Sequence, residues 1–248
     1  MNNYWNPREE LITNYLDVCR EAVQNPTTFC NFKSDRRYIP ILEHTSSGLG
    51  RNHLSMIQEN NPQLLTDYPS FWNNDYYGNP TTHDYQFRVC SPTTIQYINV
   101  LSSLMKQIGS LSGLRIVEIG GGYGGQAKII TDAFDVESYE IIDLPEVKDL
   151  QNKYIALANI KNTKAFDLDS YITKSEYDLV ISNYAFTEVL DPLQTWYMEN
   201  VILKARHGYL TCNGDITSIQ SLIDKCGDAL QRTSDIAGER ESNYILTW

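Results

Sequence analysis

From about residue 110 to residue 248, short apolar runs alternate with segments of helical periodicity. The runs that begin at residues 115, 138, 163, 177 and 208 are as short as buried strands, and helix-length segments separate most of them. Strands connected by crossover helices pair in parallel. We therefore predict an α/β fold, a Rossmann-like doubly wound sheet that is mostly parallel, with residues 243–248 as an antiparallel last strand.

The first 109 residues do not follow this alternation. One helical pattern ends at Asn25-Pro26, and another begins with Ser91 as its cap and Pro92 in its first turn. Between them lies material rich in Asn, Pro, Tyr, Thr and Ser, which predicts ordered loops and one short helix over residues 53–58. We predict two units, a helical and loop cap over residues 1–109 and a ligand-binding domain over residues 110–248.

The charge balance excludes some partners. The formal net charge is -11 and the sequence pI is about 4.8, so phosphate backbones and anionic membrane surfaces are repelled. We expect neither nucleic acid nor a membrane as a partner. A small basic cluster, Lys33, Arg36 and Arg37, is predicted to be solvated surface.

The cysteines and the amino-terminal residues indicate a cytoplasmic protein. Five cysteines occur at long spacings without a Cys-x-x-Cys pair, which favours reduced thiols over zinc or disulfides. Neither a signal-peptide pattern nor an apolar run of membrane-spanning length is visible. Paired acids that could seat a magnesium ion are also not evident, so we predict chemistry without a metal.

The glycine-rich segment Glu118–Gly125 follows the first strand of the alternating region. Glycines at this turn let the backbone bend sharply and approach a ligand closely. The positions Gly120, Gly122 and Gly125 satisfy the dinucleotide fingerprint, and a loop of this kind also suits S-adenosylmethionine. Asp143, at the end of the second strand, would bind ribose hydroxyls of either cofactor.

Three features favour S-adenosylmethionine over a dinucleotide. Glu118 lies two residues before the glycines, where a carboxylate suits the ammonium of a methionine moiety and is unfavourable beside a pyrophosphate. A Tyr-x-x-x-Lys pair of the kind reductases use does not follow the fourth strand. Asp167, at the end of the third strand, is placed to accept a hydrogen bond from an adenine amino group.

Three phrases carry a resemblance to a known family. Residues 117–126, 141–145 and above all Ile181-Ser-Asn-Tyr-Ala-Phe-Thr-Glu188 closely resemble the sugar O-methyltransferases of bacterial surface-polysaccharide loci, which are class I S-adenosylmethionine-dependent enzymes. The resemblance extends over roughly residues 75–215.

The resemblance implies a cytoplasmic methyltransferase of capsule or lipopolysaccharide biosynthesis. Its acceptor would be a small molecule, a sugar or a sugar nucleotide, and Asn183 would lie beside the methionine or the transferred methyl. The residues implied to hold S-adenosylmethionine are Glu118, Gly120, Gly121, Gly122, Gly124, Gln126, Asp143 and Leu144.

A sugar hydroxyl is a poor nucleophile, so its methylation typically benefits from a general base. The candidate bases are His44, His53, His83 and Glu188. We favour His44, in a polar turn of the cap, and Glu188, shortly after the fourth strand, while Tyr184 is placed to contact the acceptor or the cofactor.

The sequence leaves three alternative functions open. The same chemistry could act on a phosphoryl-type oxygen, which is already anionic and needs no base; the basic cluster around Lys33 would then matter. The chain could instead be an NAD(P)-dependent reductase, or a methyltransferase-like subunit without catalysis. The loop glycines and Asp143, the acid expected to bind ribose, are intact, which argues against a subunit without catalysis.

Overall fold

The computed structural model describes residues 9–235 and 242–248. Helices are labelled α1 Glu9–Gln24, α2 Pro26–Asn31, α3 Ile39–Leu42, α4 Ser47–Asn60, α5 Pro92–Ile108, α6 Gly125–Ala133, α7 Pro145–Leu157, α8 Ala185–Glu188, α9 Leu193–Asn200 and α10 Ile219–Cys226. Strands are labelled β1 His83–Asp84, β2 Val89–Cys90, β3 Arg115–Ile119, β4 Ser138–Ile142, β5 Thr163–Phe166, β6 Tyr177–Asn183, β7 Ala205–Cys212, β8 Gln231–Ser234 and β9 Tyr244–Thr247. Across these ranges, no helix is long and apolar enough to cross a bilayer.

The main sheet has the strand order β5-β4-β3-β6-β7-β9-β8. The first five strands in this order, β5, β4, β3, β6 and β7, are parallel to one another. Strand β9 pairs antiparallel with β7, and β8 pairs antiparallel with β9. The predicted Rossmann-like, mostly parallel sheet with an antiparallel last strand is confirmed. The strand order reverses between β3 and β6, and a crevice for ligands forms at the carboxyl ends of the strands beside such a reversal.

The central strands are apolar on both faces, as strands of a covered parallel sheet are. In β3, the side chains of Ile116, Val117 and Ile119 are buried. The exception is Glu118, which is only 1% exposed although it carries a carboxyl group. Because burying a carboxylate is costly unless it has partners, this position points to a function.

The edge strand β8 carries no apolar alternation, and its four side chains are exposed. It is held by backbone pairing with β9, register Thr233 to Ile245. The sequence pattern predicts a helix up to residue 230, but α10 ends at Cys226 and a 3-10 turn follows it. A strand whose side chains are all exposed leaves no trace in hydrophobic periodicity.

The cap contains more helix than the sequence indicates. The pattern predicts a loop over residues 38–50 and a helix only from His53, whereas α4 begins at Ser47. The side chain of Ser46 accepts a hydrogen bond from the backbone N–H of Leu49, which satisfies a free donor of the first turn. This hydrogen bond from Leu49 to Ser46 lets α4 begin about two turns earlier than the apolar spacing suggests.

The predicted surface position of Lys33 is wrong. Its side chain is 1% exposed, with Nζ donating to the carbonyl oxygen of Asn74 at 2.7 Å and lying 3.7 Å from the ring centre of Tyr123. Aromatic rings and a carbonyl oxygen together stabilise a buried ammonium. Arg37, by contrast, pairs with Glu21 and Asp35 near the surface.

The cap and the sheet share one apolar core. Phe32 and Leu101 from the cap belong to the same buried cluster as Ile141 and Tyr154 from the sheet and its helix α7. The cap therefore packs directly on one face of the sheet, over the turn that follows β3. The division of the chain at residues 109 and 110 stays a prediction.

Candidate active site

A cavity of about 550 Å³ lies between the cap and the carboxyl ends of β3, β4 and β6. Its wall combines the glycine loop, the strand ends and side chains from α1, α3, α4 and α5 of the cap. The volume is in the range of pockets that enclose small organic ligands. Its position is the one that the reversal of strand order predicts.

The glycine loop forms one wall and has no room for side chains. Gly120 and Gly122 adopt positive φ angles of 72° and 60°. A Cβ at Gly120 would overlap Ala185, and one at Gly122 would lie 3.0 Å from Leu42 of the cap. The loop thus needs glycine for its backbone angles and for its close approach to neighbouring elements.

Glu118 lines the cavity beneath this loop. The hydroxyl of Tyr139 donates to its Oε2 at 2.9 Å, and an added Cβ at Gly121 would lie 2.9 Å from the same oxygen. Burial raises the pKa of Glu118 to about 8, although the hydrogen bond from Tyr139 opposes the rise. A buried carboxyl with so little compensation favours a cationic group in the cavity.

Asp143 lies at the end of the neighbouring strand β4 and also lines the cavity. Its Oδ1 accepts from the backbone N–H of Leu144 at 2.8 Å, and its Oδ2 accepts from Gln151 Nε2 at 2.7 Å. Gln151 Nε2 also donates to the carbonyl oxygen of Gly122 at 2.8 Å, so it joins the acid to the glycine loop. Burial raises the pKa of Asp143 to about 7, against these hydrogen bonds.

Most of the predicted cofactor residues meet at the cavity, namely Glu118, Gly120, Gly121, Gly122, Asp143, Leu144 and Asn183. The structure does not bring Gly124, Gln126 and Asp167 to its lining. Gly124 precedes α6 with a φ of 95°, and Gln126 is buried and donates to the carbonyl oxygen of Tyr97.

Asp167 lies beyond the cavity lining and has partners of its own. It accepts from the hydroxyl of Ser170 at 2.5 Å and pairs with Lys148 at 2.9 Å. These hydrogen bonds, the one from Ser170 first, hold its pKa at about 2. Contact between Asp167 and an adenine amino group stays a prediction.

The end of β6 supplies the predicted catalytic residues Tyr184 and Glu188, and both line the cavity. Tyr184 has a φ of 68°, which is unusual for a non-glycine residue, and its hydroxyl donates to Asp235 Oδ2 at 2.6 Å. Glu188 is exposed at the rim, where its Oε1 accepts from Asn213 Nδ2 at 2.8 Å. Their roles in catalysis remain predictions.

The histidines occupy different environments. His44 lines the cavity from the segment after α3, and His53 lines it from α4. His53 is buried, with Nδ1 lying 3.1 Å from Asn99 Nδ2, and burial lowers its pKa to about 4, so it is neutral at physiological pH. His83 lies on β1 and does not line the cavity. His207 lies near the amino end of β7 and does not line the cavity.

The polar residues of the site that the sequence patterns did not predict include Gln151, Asn213 and Asn243. Asn213 follows β7 directly, as Asn183 ends β6, so the rule that ligands bind at strand ends offered a signal for it. Gln151 projects from the middle of α7, and Asn243 precedes an antiparallel strand. Neither of these two positions has a motif that marks it.

The charge of the cavity wall is one-sided. Glu118, Asp143 and Glu188 line it, and no Lys or Arg is among its described lining residues. In the ranges 9–235 and 242–248, no group of three or more His, Cys, Asp or Glu side chains is placed to hold a metal ion. The prediction of metal-free chemistry stays untested. The electrostatics favour a ligand with positive charge near Glu118.

Solved structures with a similar fold include methyltransferases. One is an S-adenosylmethionine-dependent methyltransferase from Mesorhizobium loti, with 12% identity and a TM-score of 0.47 over 58% of this chain and 94% of that one. Another is an rRNA methylase from Streptococcus thermophilus, with 13% identity and a TM-score of 0.43 over 60% of this chain and 93% of that one.

PKMT2 from Rickettsia typhi in complex with AdoHcy is similar over 41% of this chain and 21% of its own, with 17% identity and a TM-score of 0.35. No protein-family model and no curated protein matches the sequence. Because the TM-scores lie below 0.5, these likenesses carry no weight for the function, which rests on the cavity itself.

The raised pKa of Glu118 has a measurable consequence for stability. Between its ordinary value of 4.5 and about 8, the folded protein holds a proton that the unfolded chain has lost. Stability therefore falls as pH rises across this window, by up to about 1.4 kcal/mol per pH unit. We expect Glu118→Gln to remove this contribution and to stabilise the ligand-free protein at pH 8, as measured by urea unfolding at pH 5 to 8.

The matched control is Asp167→Asn, which removes an acid whose pKa is lowered rather than raised. Asp167 contributes stability above its ordinary pKa, so this variant should be less stable than the parent at pH 7. A Glu118→Gln protein that is destabilised at pH 8 would contradict the buried, uncompensated state of Glu118.

Proposed function

We propose that this chain is an S-adenosylmethionine-dependent methyltransferase. The observation that carries the proposal is the pair of acids at adjacent strand ends in one cavity: Glu118 is buried beneath the glycine loop, and Asp143 is joined to the same loop through Gln151. The ligand that satisfies both acids has a cationic group and a pair of hydroxyls a few bonds apart.

The residues present fit S-adenosylmethionine. Glu118 would pair with the methionine ammonium, because a carboxylate short of partners gains most from a cation in a dry site. Asp143 would accept hydrogen bonds from ribose hydroxyls, and the glycine loop lines the cavity with backbone alone. When bound, this cofactor supplies an electrophilic methyl group on a sulfonium.

A dinucleotide fits the same wall poorly. Its pyrophosphate would lie on the glycine loop, next to the buried Glu118 carboxyl, whose pKa of about 8 an added negative charge would raise further. A pyrophosphate would therefore leave Glu118 without the cationic partner that its burial favours. The reductase alternative is therefore disfavoured by the feature that favours an ammonium.

For the acceptor, we propose a hydroxyl of a sugar or of a sugar-linked group in surface-polysaccharide biosynthesis. The phrase that ends at Glu188 supports the sugar class, and the polar wall formed by Asn183, Asn213 and Asn243 suits a hydroxyl-rich ligand. A phosphoryl-type acceptor would need cations. Lys33 is buried inside the cap, and Arg37 pairs with Glu21 and Asp35.

The chain's own part in methyl transfer is to position the acceptor and take up its proton. The bound cofactor would supply the methyl group and keep the sulfur as its leaving group, and the acceptor hydroxyl would give its proton to a base of this chain. Glu188, held by Asn213 at the rim, and His44, on the opposite cap wall, are the proposed bases. Closing the cap over the acceptor would exclude water from the reacting atoms.

Isothermal titration with S-adenosylmethionine and with NAD tests the proposal. We expect S-adenosylmethionine to bind and Glu118→Gln to weaken binding at least tenfold, about 1.4 kcal/mol, because the ammonium loses its counterion. The matched control is Glu140→Gln on the same sheet, where Glu140 pairs with Lys174 away from the cavity; its affinity should match the parent. Binding of NAD without binding of S-adenosylmethionine would overturn the proposal.

Transfer of a labelled methyl group to a panel of sugar nucleotides tests the acceptor and the base. The turnover number should fall by about 10²–10⁴-fold in whichever of Glu188→Gln and His44→Ala removes the base, with cofactor affinity within twofold of the parent. His83→Ala, outside the cavity, should keep the parental rate. Full rates in both variants would contradict the base assignment, and a panel without any methylated product would contradict the sugar acceptor.

A further inference from the structure

Asn243 reaches the cavity because β9 runs antiparallel to the rest of the sheet. Tyr244, the first residue of β9, pairs with Cys212, the last residue of β7. The amino end of β9 therefore lies at the edge of the sheet where the parallel strands end. Asn243, immediately before β9, is 5% exposed and lines the cavity two strands away from β6.

The Asn243 amide lies beside a tyrosine whose hydroxyl proton is already used. That tyrosine is Tyr184, and its hydroxyl donates to Asp235 Oδ2 at 2.6 Å. Because the proton is used for Asp235, the tyrosine oxygen can only accept, so the NH₂ end of the Asn243 amide is the end that suits it. Asn243 Oδ1 is left buried, and nothing in the described ranges donates to it.

Asn183 presents the opposite polarity to the same cavity. Its Oδ1 accepts from the hydroxyl of Thr211 at 3.3 Å, which leaves its Nδ2 as the free end of the amide. That nitrogen is buried, and it too lacks a partner within residues 9–235 and 242–248. A buried donor or acceptor that is left unpaired costs about 1–3 kcal/mol. Two residues that line one cavity each carry such an atom, which indicates that a ligand completes them.

We propose that Asn243 and Asn183 bind an uncharged hydroxyl-bearing part of the methyl acceptor, with Tyr184 and Asp235 as positioning residues for Asn243. This inference rests on the proposed methyltransferase function and adds the recognition element for its acceptor. The cofactor half of the cavity lies over β3 and β4, the acceptor half lies over β7 and β9, and Asn183 at the end of β6, predicted beside the transferred methyl, lies where the two halves meet.

The chemistry of the two free atoms selects the ligand class. A hydroxyl both donates and accepts, so hydroxyl groups satisfy Asn243 Oδ1 and Asn183 Nδ2 alike. A fully ionised phosphate or carboxylate has no proton to donate to Asn243 Oδ1, and an ammonium cannot accept from Asn183. Glu188 at the rim adds negative charge that further disfavours an anion.

Saturation-transfer NMR on the full chain, saturated with S-adenosylhomocysteine, tests this subsite. The probes are the methyl glycosides of glucose, galactose and mannose, and the 6-phosphates of the same sugars. We expect saturation transfer to at least one neutral glycoside and weaker transfer to its phosphate. Asn243→Leu, which keeps the approximate shape of the side chain, should weaken binding of that glycoside at least tenfold.

A second variant separates orientation from packing. Tyr184→Phe keeps Asn243 but removes the hydroxyl that orients its amide, so glycoside binding should weaken by about threefold to tenfold, in line with loss of one hydrogen bond. Both variants should keep S-adenosylhomocysteine affinity within twofold, which also reports that they are folded. The matched control is Asn60→Leu, at an exposed asparagine on α4, which should change neither affinity.

The outcomes distinguish this inference from the function on which it rests. Failure of the parent protein to bind S-adenosylhomocysteine would overturn the methyltransferase proposal. Binding of S-adenosylhomocysteine without transfer to any neutral glycoside would overturn the hydroxyl subsite alone. Stronger saturation transfer to the sugar phosphates than to the glycosides would also overturn the hydroxyl subsite. Equal glycoside affinity in Asn243→Leu and the parent protein would overturn it as well.

Discussion

The burial of one carboxyl group, that of Glu118, organises the site of this protein. The carboxyl lies near the carboxyl end of the buried strand β3, under a glycine loop, with Tyr139 as its hydrogen-bond donor. Its raised pKa reflects a cost in folding free energy, which a cationic ligand can offset. The cap makes this possible, because Leu42 packs against the loop at Gly122 and the core continues from the cap into the sheet. The buried Glu118 carboxyl therefore lowers the stability of the ligand-free protein and favours the binding of a cationic ligand.

The topology of the sheet divides the cavity by strand. The reversal of strand order between β3 and β6 opens the crevice, and the parallel strands on either side deliver acids and amides to one edge. The antiparallel strand β9 adds a residue from its amino end, a position that a wholly parallel sheet would direct to the opposite edge. Tyr184, with its uncommon backbone angle, donates to Asp235 beside Asn243. We infer that the cofactor and the acceptor are recognised by different strands of one sheet.

The sequence predicted the sheet and the two acids because both depend on local patterns. Apolar runs of strand length mark β3 to β7, and acids next to glycines or strand ends mark Glu118 and Asp143. Residues whose role depends on distant partners were missed. Lys33 was expected at the surface, yet the side chain lies against aromatic rings from the glycine loop and α7. Asn243 reaches the cavity only because β9 pairs antiparallel with β7. Gln151 reaches the glycine loop only because it lies on the face of α7 that is turned toward that loop.

The most direct test of this account is the number of protons released when S-adenosylmethionine binds at pH 7. Calorimetry in two buffers with different ionisation enthalpies measures that number. Ligand-free Glu118 has a pKa of about 8 and is mostly protonated at pH 7, so pairing with an ammonium must expel its proton. We predict that Glu118 releases about one proton per bound molecule in the parent protein, in addition to up to about half a proton from Asp143, whose pKa is about 7, and that Glu118→Gln releases clearly fewer. Binding without proton release in the parent, or no binding, would contradict the account.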